Sequence, residues 1–78
     1  MQYIIIYKKQ EEENQLINFL ISKDYTNTYL RKRTDLNKYG IICIDVSKKI
    51  FFSLNVPCSI VAGQKIVNLK EFINGDYI

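Results

Sequence analysis

A chain of 78 residues with a net charge of +3, two cysteines and no histidine is one small domain with a narrow chemical repertoire. A domain of this size buries only about 60% of the surface its unfolded form exposes, so its stability is thin. The missing imidazole excludes Ser-His-Asp and Cys-His catalysis, histidine-ligated zinc and the ordinary neutral-pH general base, and two thiols cannot complete a four-thiolate zinc site in one chain.

The first run, YIIIY at residues 3–7, is continuously β-branched and aromatic. Such a run fits a strand buried on both faces and lying inside a sheet. From Gln10 the period changes: Leu16, Ile17, Phe19, Leu20 and Ile21 recur at helical spacing behind Glu11, Glu12 and Glu13. Carboxylates in an opening turn favour the positive end of the helix dipole. Adjacent helix positions point in different directions, so these three do not converge on one ion. The helix is expected to end near Lys23, with Asp24 as a left-handed cap that turns the chain into Tyr25.

Residues 26–33, TNTYLRKR, read as an edge strand guarded by charge. Residues 35–38, DLNK, read as a loop. The stretch YGIICIDVSKKIFFSL, residues 39–54, then holds two apolar arms around a polar break, which signals an antiparallel hairpin. Alternation places Ile42, Ile44 and Val46 on one face of the first arm, and Ile50, Phe52 and Leu54 on one face of the second. These six form the expected core floor, covered by Leu16, Phe19 and Leu20. Pro57 breaks the pattern after Leu54. Residues 59–63 are ambiguous between a helical turn and an inward-packing loop. A final strand at 65–69 and a helical turn at 70–73 follow, ended by Asn74-Gly75.

Phosphate-binding loops are absent: Gly40, Gly63 and Gly75 stand alone. Asp45 with Lys48 superficially matches a nuclease acid and lysine, but no second acid is placed beside it. Cys43, inside the hairpin, reads as a small apolar side chain. The chain therefore reads as non-enzymatic, with no cofactor and no metal. MQYIII carries no basic leader, and no run approaches the roughly 18 apolar residues of a membrane span. Both point to a reducing cytoplasm with free thiols, although a bridge between Cys43 and Cys58 stays open.

Charge is unevenly placed. Residues 1–24 carry three lysines against four acids, residues 25–40 carry four cations against one acid, and the remainder four lysines against three acids. The basic excess is thus a local patch, in which Tyr25, Tyr29, Arg31, Lys32, Arg33, Lys38 and Tyr39 interleave aromatic and cationic groups. Protein interfaces use that mixture at hot spots, and nucleic-acid surfaces use it on phosphates and bases. A solvated edge strand with charged guards uses it too.

The strand YIIIY, the helix end INFLISKDY, the hairpin ICIDVSKKIFF and the terminal KIVNLKEFI together resemble the small αβ proteins encoded by bacteriophages and mobile elements of low-GC bacteria. Where this chain has Asp24, such proteins often carry glycine, and they often carry the tryptophan that is absent here. The resemblance implies an accessory viral protein that binds and blocks a host protein, such as a component of CRISPR or other defence machinery, and it transfers no site residue. The expected fold is a single α+β domain over residues 1–78. One helix packs on a four- to five-stranded, mainly antiparallel sheet in β-α-β-β-β order, with a short C-terminal strand and helical turn. The leading function is a host-protein binder, with homodimerisation open. The alternatives are nucleic-acid binding through Arg31, Lys32, Arg33 and Lys38, and sequestration of a small nucleotide signal.

Overall fold

Among the described residues of the computed structural model, 2–30, 38–54, 64–75 and 77 (excepting the side chains of Tyr29 and Leu54), the elements run β1 (Gln2–Tyr7), α1 (Gln10–Ser22), β2 (Thr26–Tyr29), β3 (Gly40–Asp45), β4 (Ile50–Leu54), β5 (Gln64–Ile66) and α2 (Leu69–Asn74). The fold is α+β, in the expected order. The five strands form one sheet in the order β2-β4-β3-β1-β5. Its centre is antiparallel, with β3 between β1 and β4, and the two edge strands β5 and β2 pair in parallel with β1 and β4. The initial strand is interior, as its uninterrupted apolar run requires.

One face of the sheet carries Ile5, Tyr7, Ile42, Ile44 and Phe51, which pack with Leu16 and Leu20 of α1 and Leu69 and Phe72 of α2 into the main core. Phe19 packs against that core from its margin. The other face carries Ile4, Ile41 and Cys43, which are also buried. Phe72 anchors α2, with its ring 5.8 Å from Tyr3, 6.0 Å from Phe19 and 5.7 Å from Tyr77. Aromatic pairs at such separations add roughly 0.5–1.5 kcal/mol each beyond burial.

Of the six residues expected to form the core floor, two lie in the core and three do not. Ile42 and Ile44 lie in it, but Phe51 takes the place assigned to Phe52 and Ile50, which are half-buried on the opposite face. The reason is loop parity. Residues 46–49 form the turn, so Asp45 pairs with Ile50 and Ile44 with Phe51. Cross-strand partners share a face, hence an even-numbered residue in β3 sits beside an odd-numbered one in β4. Val46 belongs to the turn and not to the core. The side chain of Leu54 lies outside the described residues, as do Cys58 and the ambiguous stretch 59–63.

Both non-glycine residues with positive φ close turns at one end of the sheet. Asp24 (φ 66°) follows α1, and Lys49 (φ 55°) ends the hairpin loop. Tyr25 donates its N–H to the Leu20 carbonyl at 3.0 Å and Asp24 donates to Ile21 at 3.1 Å. This is the double bond pattern of a Schellman cap, with Asp24 in the left-handed position. The N–H of Thr26 then reaches the Lys49 carbonyl at 2.9 Å, joining the two turns.

Candidate functional site

The antiparallel register of β1 and β3 brings the exit of one strand beside the entry of the other, with Tyr7 opposite Gly40. Tyr7 is buried, and its ring lies directly over Gly40: a Cβ there would stand 2.3 Å from Tyr7 Cζ. Glycine is needed at this position for the close approach of that ring. One step further out, Tyr39 and Lys8 leave the sheet together. Tyr39 is 65% exposed, and Lys8 Nζ lies 5.7 Å from its ring centroid. A cation over an exposed ring contributes on the order of 0.5–1 kcal/mol and holds the ring in place. Lys38 and Lys9 are exposed alongside in sequence. The Lys9 N–H is fixed by Glu12 Oε1 at 2.9 Å, which ties the start of α1 to this end of the sheet.

Of the seven residues in the basic and aromatic patch, Lys38 and Tyr39 stand exposed at this end. Arg31, Lys32 and Arg33 lie outside the described residues, as does the side chain of Tyr29, whose backbone belongs to edge strand β2. Tyr25 is a correction. It is 6% exposed and part of the core, because the residue after a left-handed cap folds back onto the helix it terminates, here against Leu20. Burial pushes its phenol pKa up, with Asp45 adding to the effect. Lys8 was missed. It follows the first strand in sequence, and only the pairing of β1 with β3 carries it to Tyr39.

The opposite end of the sheet holds a polar network. Gln2 Nε2 donates to Asp45 Oδ2 at 3.2 Å, and Gln2 Oε1 accepts from Gln64 Nε2 at 2.7 Å and from Cys43 Sγ at 3.7 Å. The Lys48 N–H at 3.1 Å from Oδ1, then the Gln2 amide, hold the Asp45 carboxyl below its usual range. Burial, and secondarily the charge of Asp45, push the Cys43 thiol up to about 11. One group is thus held ionised and the other held protonated, so neither is poised to exchange a proton near neutrality. The Asp45 carboxylate closes the hairpin turn and the Cys43 thiol fills the sheet. No cluster of three or more metal-ligating side chains occurs among the described residues, and no helix there is long and apolar enough to cross a membrane.

Compared with family models, with curated proteins and with solved structures, the chain finds no match in any of the three.

Proposed function

We propose that this chain is a non-enzymatic binding protein that acts by occupying the surface of another protein, through the end of the sheet where β1 leaves and β3 enters. The observation that carries this reading is Tyr39, a large aromatic side chain kept in water and steadied by Lys8. Tyrosine flanked by cations suits an interface anchor, since it buries much area for little loss of side-chain freedom. Lys8 already lies over one face of the ring, which suits edge-on docking into a protein pocket better than stacking between bases. The resemblance to phage-encoded proteins supplies the partner class, a host protein of the bacterial cytoplasm, with defence components such as CRISPR effectors among the candidates.

Affinity purification from nuclease-treated lysate of a low-GC bacterium tests the reading. One dominant protein should be retained by the wild-type chain and lost with Tyr39→Ala. Recovery of nucleic acid alone, from untreated lysate and with a steep loss at higher salt, would instead establish the nucleic-acid reading, which the local charge excess at residues 25–40 favours.

A further inference from the structure

The sheet face turned away from α1 and α2 extends the Tyr39 surface. Ile5, Tyr7, Ile42 and Ile44 pack with the helices, so alternation turns Ile4 and Ile6 of β1, and Lys8 just past it, to the other side. Ile6 pairs with Ile41, and Ile4 pairs with Cys43 and Ile66; cross-strand partners share a face. Tyr39 stands two residues before Ile41 and carries Lys8 over its ring, which places it on this face too.

Four large apolar side chains are exposed among the described residues: Ile6, Ile21, Tyr39 and Ile66. Ile21 sits apart on α1. The other three gather on this one face, with Ile6 38% and Ile66 48% exposed and Ile4 and Ile41 buried beside them. A lone exposed isoleucine needs no explanation, whereas several beside an exposed aromatic ring mark a contact surface. β5 ends at Ile66, because Asn68 caps α2 and the chain turns to the helix side. No described strand continues past it beside Ile6.

We propose that Ile6 and Ile66 continue the contact made by Tyr39, and that an apolar ridge of the same partner protein lies across all three. Continuity chooses the occupant. Ile6 lies two residues, about 7 Å, along the strand direction from Lys8, and Ile66 one strand, about 5 Å, beyond Ile4. Between Lys8 at one margin and Gln2 and Gln64 at the other, the side chains that β1 and β5 present on this face are isoleucines. They offer no donor or acceptor to a phosphate or a base, and they gain by burial against another apolar surface. Lys8 at the margin then serves as polar rim. The inference rests on the binding-protein reading and names the chemistry of the partner's face.

A photo-crosslinking phenylalanine analogue at position 66 of the full chain, beside one at position 39, tests it in nuclease-treated lysate. Both positions should label the same protein. In the chain labelled at position 39, Ile66→Thr should cut the adduct about fivefold or more. Ile66→Val, which gives the shape of threonine without its hydroxyl, should leave the adduct near wild type. Thermal unfolding of both variants checks that the fold is kept. No adduct at position 66, a different protein there, a second copy of this chain there, or equal adducts for the two variants overturns the proposal. If position 39 still labels one protein, the binding reading survives that failure. If neither position labels a protein, both fall.

Discussion

Two tyrosines that look alike in sequence have opposite duties here. Tyr25 is locked beneath the helix cap at 6% exposure, and Tyr39 stands 65% exposed beside Lys8. Tyr25→Ala should therefore cost on the order of 3–5 kcal/mol, as removal of a buried aromatic ring does. Tyr39→Ala should cost no more than about 1 kcal/mol, the size of its contact with Lys8. Urea unfolding of the two variants checks the contrast, and similar losses would erase it. Cys43 gives a pH signature. Its thiol is held protonated up to about 11 in the folded chain against 9.0 when unperturbed. Its contribution is thus fully present below pH 9 and is lost as pH rises toward 11, because only the unfolded chain ionises in that window. In a Cys58→Ser background, Cys43→Ala should flatten the fall in stability across that window. Thiol-reagent labelling of Cys43 should also be slow until the chain unfolds. Rapid labelling of the folded chain at mildly alkaline pH would contradict this.

At the scale of elements, each turn records how far local chemistry reaches. The change from alternating to helical spacing at Gln10, the left-handed cap at Asp24 and the stop at Asn74-Gly75 are short-range features, and all were legible in the sequence. Gly75 is confirmed as a helix end: its N–H donates to the Glu71 carbonyl at 2.7 Å. What failed depended on counting across a turn. Phe51 and Phe52 are adjacent and equally apolar, so the phase of β4 follows only from a loop that pairs Asp45 with Ile50. The fate of Tyr25 followed from the cap itself, since the residue after a left-handed cap commonly folds back onto the helix. The positive-φ residues yield a test at this scale. Asp24→Gly and Lys49→Gly should each stabilise the chain by about 0.5–1 kcal/mol, because a left-handed conformation strains a residue with a Cβ and not glycine. The smaller gain belongs to Asp24, whose side chain tolerates that region better. A lower thermal midpoint in either variant would show that the lost side chain does more than its backbone costs.

For the whole molecule, topology decides which chemistry meets. The strand order β2-β4-β3-β1-β5 puts the N-terminal strand inside the sheet, joins Lys8 to Tyr39 at one end, and gathers Gln2, Cys43, Asp45 and Gln64 at the other. None of these meetings could be read from the chain, because each spans a sequence separation that only register closes. Within the basic and aromatic stretch at residues 25–40, Tyr25 lies in the core, and Tyr39 is met by Lys8 from outside the stretch. The exposed Tyr39 with Lys8 beside it at the β1–β3 end is the observation on which the proposed binding role rests. The most direct measurement places a photo-crosslinking phenylalanine analogue at position 39, with a control at position 21, where Ile21 is 57% exposed on α1. In lysate, position 39 should yield one protein adduct that Lys8→Ala diminishes, and position 21 should yield none. Equal adducts at both positions, or nucleic acid alone at position 39, would contradict binding through this end of the sheet.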